Sequence, residues 1–345
     1  MTELGAESPV TRTAPSATQL DGGTATPTAE GAPTRRRGAP LLSRASRSDW
    51  LGWAGLALLF VQGVGMLVWS TLLWRRFALT SDYAIYHQAW WLIAHGHLDP
   101  FSTFLGDSFW QNHSEFIMWP LALLGVLFPH GPVLLYLQDV AFVSADMVAW
   151  QWMRTAANRL PNWHSRAILI AGLVVLLADP WSWWAISFDF HMELVGSAFV
   201  LAAAYELSHK GRRRAWVWVG LGLVCGAVTA TYIAGLGIAV LLVSRHWRRR
   251  GLLLLAIGTG WTLLVTLVHG DQGAPLGSLY GYLGAKNQNL NPSSNATIAA
   301  IVHNVLTHPL SVPTALWAHR VDVWANLAPS GLLGVFDPWA LGSSL

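Results

Sequence analysis

Three short polar runs interrupt an otherwise apolar chain, and each sets a carboxylate close to an imidazole. The first is Ser81-Asp82-Tyr83-Ala84-Ile85-Tyr86-His87-Gln88-Ala89-Trp90-Trp91. Ser81 is the expected N-cap of a helix here, which puts Asp82 in the first turn, where the helix dipole favours a negative charge. Asp82, Tyr86 and Ala89 then share one face through their i, i+4 and i+7 spacing. The second run is Asn112-His113-Ser114-Glu115, and the third is Asp189-Phe190-His191-Met192-Glu193. A carboxylate beside an imidazole can act as a general base with its orienting partner, or can hold a divalent metal through mixed N and O ligands. His113, Asp189 and His191 are the metal candidates, with no particular ion or cofactor indicated. A structural explanation stays open beside these: a capping aspartate on a membrane-surface helix, and polar residues wetting two loops. His191 and Glu193 would point about 200° apart in a regular helix. Both reach one site only if the backbone is extended until a helix begins near Glu193.

A second kind of signal lies inside an apolar run. Gln138, Asp139 and Asp146 fall within 131–153. The two aspartates, seven positions apart, share a helix face. Carboxylates within a membrane span are costly and mark functional sites by default, so the pair is a candidate proton or ion path. The alternative for Asp139 is that it opens into the same cavity as Asp82. Among the 21 tryptophans, Trp90, Trp91, Trp110, Trp119, Trp181, Trp183 and Trp184 cluster at one rim. Anchoring is the usual role there, and stacking on a sugar or an isoprenoid chain is the functional one. No phosphate-cradling glycine loop, His-Glu-x-x-His or Gly-x-Ser-x-Gly motif is present.

These residues must be positioned by membrane helices. Of 345 residues 53% are hydrophobic and 11% charged. An ordinary soluble chain is about 25% charged. Mean hydropathy is +0.39. This excludes a water-soluble enzyme. The single cysteine, Cys225, excludes a disulfide framework. Residues 1–49 are rich in small and polar residues and read as a disordered tail. A bilayer core needs about 20 apolar residues per helix. The expected spans are 51–74, 131–153, 166–184, 193–209, 214–229, 231–245 and 251–269, with the pair 214–245 reading as a short helical hairpin. The fold class is therefore all-α, a polytopic transmembrane helical protein.

Arginine placement sets the topology. Suppose the tail is cytoplasmic and 114–129 lies in the interface instead of crossing. Then 17 of the 21 basic residues face the cytoplasm, as the positive-inside rule requires. The loop 75–130, the turn 185–192 and the segment 270–328 are then extracytoplasmic, and all three polar runs share that side. The basic residues serve topology and lipid headgroups, so the lipid bilayer is the expected partner and nucleic acid is not. The location implied is the cell membrane, multi-pass, with a cytoplasmic N-terminus.

Residues 81–138 resemble the opening block of the bacterial membrane family called domain of unknown function 2079. Asp82, Gln88, His95-Gly96, Pro100-Phe101-Ser102-Thr103 and Asn112-His113 match its pattern, and Phe190-His191-Met192-Glu193 is similar to its Phe-His-Pro-Glu turn. Where many members carry Thr-Lys-Glu-Asp, this chain has Thr229-Ala230-Thr231-Tyr232. The resemblance runs from about residue 51 to the C-terminus and implies that the family's last helices are truncated here. The family in turn looks like a branch of the C-type glycosyltransferases. That likeness implies a transferase using a polyprenyl-phosphate-linked sugar donor, with Asp82 as the catalytic carboxylate. Tyr86, Gln88, His113, Asp189, His191 and Glu193 would be substrate-binding residues. A transporter or flippase for a lipid or small solute, or a non-catalytic scaffold, is the alternative.

Overall fold

The computed structural model describes residues 49–269 except 130, 159, 210–211 and 244, together with 302–318 and 320. The expected tail 1–49 (apart from its last residue), most of the segment 270–328 and the last apolar run lie outside the described residues.

The long helices are α1 (Asp49–Arg75), α4 (Val133–Ala157) and α10 (Arg248–His269), joined by α5 (Asn162–Ala178), α6 (Pro180–Phe188), α7 (Met192–Ser208), α8 (Arg212–Leu223) and α9 (Ala227–Val243). Two shorter helices, α2 (Ser81–Ala94) and α3 (Met118–Leu127), lie in the long connection between α1 and α4. Between them sits a two-residue antiparallel ladder, Phe101–Ser102 with Asp107–Ser108, closed through Gly106 at φ 74°. This small hairpin has no counterpart in the sequence reading.

Among the described residues four helices are long and apolar enough to cross a membrane: Trp50–Arg75, Val133–Ala157, Trp163–Phe188 and Arg245–Val268. Only 28% of the apolar window of α1 is buried by protein, so the rest of that surface requires lipid. At about 1.5 Å of rise per residue, α7 and α9 each reach about 26 Å and α8 about 18 Å. That puts α7 and α9 at the lower limit for a span and leaves α8 short of one. The helix α3 is shorter still and does not cross.

Two breaks depart from the expected spans. The run 166–184 is interrupted at Asp179, whose ψ of 111° leaves the helix just before Pro180. Proline has no N–H to donate and fits the first position of a new helix. Asp179 then caps α6 by accepting from Ser182 N at 3.2 Å and Ser182 Oγ at 2.7 Å. The later hairpin turns at 224–226 instead of at 230. Gly226 there has φ 125°, a backbone conformation closed to most residues.

The helices pack by close approach of backbones. Gly52, Gly55 and Gly63 of α1 meet Arg154, Trp150 and Val143 of α4, an antiparallel pair in which Trp150 Nε1 donates to Gly52 O at 3.1 Å. A Cβ on Gly237 would come within 2.5 Å of Leu255 N, and one on Gly258 within 2.5 Å of Ala230 O. Helices α9 and α10 therefore touch backbone to backbone, as small residues permit in lipid. All arginines of α4, α8 and α10 (Arg154, Arg212, Arg213, Arg214, Arg248, Arg249, Arg250) fall at the helix ends remote from α2 and α3. Both connection helices sit at the other end, over a core of Trp90, Phe109, Met118, Phe190 and Met192, all fully buried.

Alone among the described non-glycine residues, Phe77 has a positive φ, 53°. It ends α1 in a left-handed cap, with Ala78 N donating to Leu73 O at 3.0 Å. For a residue carrying a Cβ this conformation costs about 1–2 kcal/mol.

Candidate functional site

A cavity of about 260 Å³ opens where α2, the 112–115 run, the start of α7 and the start of α9 converge. Its walls carry Asp82, Tyr86, Asn112, His113, Glu115, His191 and Glu193, with Ala227, Val228 and Val265 as the apolar side. The three polar runs thus meet, although the first and third are far apart in sequence.

Each wall is fixed by its own local geometry. Asp82 lies in the first turn of α2, but its N-cap is Thr80, not Ser81, which is the first helical residue. The Thr80 side chain is occupied elsewhere: its hydroxyl and its amide both donate to Asp189 Oδ2, the amide at 3.1 Å. His191 is extended (φ −134°, ψ 118°) immediately before α7, which lets His191 and Glu193 line one cavity despite their close spacing. His191 Nε2 stands 3.6 Å from Asp82 Oδ2, and both side chains are partly open to solvent, at 33% and 44%. On the facing wall His113 Nδ1 is 3.4 Å from Glu115 Oε2. His113 stacks on Phe109 with 4.3 Å between centroids, and Tyr86 meets His113 edge-on at 5.0 Å. Ser114 accepts from Ala227 N at 3.1 Å, pinning the 112–115 run to the start of α9, and Gly226 leaves room there for the Glu115 carboxylate.

Tyr86 is fully buried, and burial, followed by the charges of Glu115, Glu193 and Asp82, pushes its hydroxyl well above the ordinary tyrosine value. It remains a proton donor at any working pH. Glu193 Oε2 is buried without a hydrogen-bond partner, and Glu115 Oε2, likewise buried, has His113 Nδ1 at 3.4 Å but closes no hydrogen bond. Among the described residues no lysine or arginine lines the cavity, so these carboxyl groups are left to the hydroxyl groups of a ligand.

Two residues expected at the site stand outside this cavity. Asp189 is fully buried and turned into the backbone: besides Thr80, it accepts from Phe190 N at 2.8 Å. Gln138 completes the clamp, donating to Asp189 O at 3.0 Å and accepting from His191 N at 2.7 Å. Asp189 therefore builds the turn that presents His191, and it is not among the residues that line the cavity. Gln88 accepts from Thr103 N at 3.0 Å and Thr103 Oγ1 at 3.1 Å, tying the small hairpin to α2. The metal reading loses its donor set in the same way: among the described residues no group of three His, Cys, Asp or Glu is placed to hold a metal ion.

Asp139 and Asp146 also lie away from the cavity, so the shared-cavity reading of Asp139 does not hold. They are buried in α4 at 1% and 8% exposure. The Ser70 side chain approaches Asp139, yet neither oxygen of Asp139, nor Oδ2 of Asp146, closes a hydrogen bond. Glu115 and Asn112 join the walls as well: the sequence marks both in the 112–115 run, although the family resemblance assigns substrate binding only to their neighbour His113. The 112–115 run is visible in the sequence, but the link from Ser114 to α9 across 113 residues is not.

A family model described as "Predicted membrane protein (DUF2079)" matches residues 73–344. The chain belongs to the DUF2079 family. The matched region of this DUF2079 protein contains every residue of the cavity wall and leaves out most of α1. No curated protein and no solved structure matches the chain.

Proposed function

We propose that this DUF2079 protein is a membrane transferase that moves a sugar from a polyprenyl-phosphate carrier to a hydroxyl acceptor on the extracytoplasmic face of the cell membrane. One observation carries the reading: a solvent-reachable carboxylate, Asp82, lies 3.6 Å from His191 in a cavity whose other polar groups are mostly acceptors and imidazoles. Asp82 takes the proton of the acceptor hydroxyl as its oxygen attacks the anomeric carbon. The bond from that carbon to the carrier phosphate breaks, and polyprenyl phosphate leaves with the electron pair. His191 orients Asp82 and, when protonated, steadies its charge. Glu115, Glu193 and Tyr86 bind sugar hydroxyls. The cavity is smaller than most drug-sized sites, which suits a single sugar ring rather than an oligosaccharide. An acidic cavity repels phosphate, so the carrier phosphate stays at the rim. The positive-inside rule supports a cytoplasmic N-terminus, since the arginine-rich helix ends lie opposite the cavity.

Lipid analysis of membranes tests this. Cells with Asp82→Asn and cells lacking the protein should both accumulate a polyprenyl-phosphate sugar that wild-type cells consume. An unchanged lipid profile in both strains would overturn the transferase reading.

The second reading is transport of a proton, ion or small solute. One observation favours it: the buried oxygens of Asp139 and Asp146 that lack hydrogen bonds within a spanning helix, where a carboxylate is costly unless it is used. Loss of function in Asp139→Asn and Asp146→Asn with Asp82→Asn intact would select it.

A further inference from the structure

The other face of α2 walls a second cavity, about 380 Å³, that the proposed chemistry does not use. It is lined by Trp74 and Phe77 from the end of α1, by Leu79 and Thr80 from the joint, and by Tyr83, Ala84, His87 and Gln88 of α2. Several of these residues are polar by name, but their polar ends are already engaged. The Thr80 hydroxyl donates to Asp189, the Tyr83 hydroxyl donates to Gly131 O at 3.3 Å, and Gln88 Oε1 accepts from Thr103. Tyr83 and His87 stack with 5.4 Å between centroids. The cavity therefore meets its occupant largely with rings and methylenes. It lies at the end of a membrane span, and Phe77 at its edge is 93% exposed.

Arg75 and Arg76 stand between Trp74 and Phe77. Both are exposed, and among the described residues neither has an acidic partner. An apolar groove at a membrane rim, with two exposed arginines in the chain segment that joins its lining residues Trp74 and Phe77, has the complementarity of a chain with an anionic phosphate at its head. We propose that the groove between the end of α1 and α2 binds a phosphate-headed lipid drawn from the surrounding bilayer, its chain against Trp74, Phe77 and the Tyr83–His87 stack and its phosphate on Arg75 and Arg76. The site does not depend on the transferase reading, because it shares no polar wall with the first cavity.

The test uses the full chain in nanodiscs of phosphatidylcholine doped with phosphatidylglycerol carrying a photoactivatable chain, with labelled peptides mapped by mass spectrometry. Label should concentrate in the peptide spanning 74–88, and excess phosphatidylglycerol should compete while excess phosphatidylcholine should not. One arginine at a lipid surface contributes about five-fold in affinity, so Arg75→Gln with Arg76→Gln should weaken competition about thirty-fold. Phe77→Gly relieves the strained backbone, so the protein stays folded, and should reduce labelling while leaving both arginines in place. Labelling at 74–88 that is equal in all variants, or that phosphatidylcholine suppresses equally well, would overturn the proposal. Displacement by inorganic phosphate alone would overturn it too, since the site would then hold a free anion and not a lipid.

Discussion

Asp82 and Asp189 occupy the same corner of the molecule and differ in almost every physical respect. Asp82 is nearly half exposed, with an imidazole 3.6 Å away. Asp189 is fully buried, with its carboxylate accepting from Thr80 and Phe190. One carboxylate is free to exchange a proton with a ligand, and the other is consumed in holding a turn. The turn it holds presents His191 to Asp82, so the buried aspartate acts on the exposed one through geometry alone. Residue type does not distinguish a carboxylate left open to a ligand from a scaffolding one; unspent hydrogen-bonding capacity does.

Substitutions should separate the two roles. Asp189→Ala leaves buried donors at Thr80 and Phe190 unpaired and should cost about 3–5 kcal/mol of stability, read as a lowered unfolding temperature in detergent. Asp82→Asn should lower transfer about 10²- to 10⁴-fold, the range for loss of a general base, in an assay with a polyprenyl-phosphate sugar donor. If the two variants lose stability equally, the division of roles is wrong. Gln138→Leu removes both bonds that frame the turn and should cost about 1–3 kcal/mol, again by thermal unfolding.

A pH experiment sharpens the picture on the Tyr86 side. The folded hydroxyl keeps its proton above the ordinary value, whereas the unfolded chain releases it near pH 10. Above that pH the folded state binds more protons than the unfolded one, so stability rises as pH falls toward 10 and is lost as pH climbs, by up to about 1.4 kcal/mol per unit. Tyr86→Phe should flatten that part of the unfolding profile, and an unchanged slope would remove Tyr86 as its cause. The smallest expected effect is that of Asp82→Asn on stability, within about 0.5 kcal/mol for a partly exposed residue without structural bonds.

How much of this was readable in the chain follows the range of each interaction. The helices were legible because apolar runs and arginine ends are local signals, and the all-α membrane class follows from them. The meeting of the 82, 113 and 191 runs was legible only as an expectation drawn from their shared side. Which carboxylate would turn inward was not legible, because Asp189 is chosen by Thr80, 109 residues earlier. Glu115 stands out locally as the carboxylate of the 112–115 run, but its place in the wall depends on Ser114 reaching the start of α9, 113 residues on, which no local signal carries. Ser81 looked like the cap because hydroxyls favour that position, yet Thr80 took it and spent its own hydroxyl on Asp189. The break at Pro180 could have been read from the residue alone; the apolar run on both sides hid it.

The position of α2 between two cavities limits how the chain can change in length. Asp82 and Tyr86 look into one cavity while Tyr83 and His87 look into the other. Neighbouring residues differ by about 100° around the helix. A point change on α2 alters one wall. Inserting or deleting a single residue between Ala84 and Ile85 would rotate everything beyond it by that angle, swinging Tyr86 and His87 away from the walls they form and carrying Gln88 off Thr103. The spacing from Thr80 to Gln88 is accordingly fixed along with the residues that carry its contacts, and natural variants of this segment should tolerate changes at Ser81 and Ala84 more readily than any change in its length.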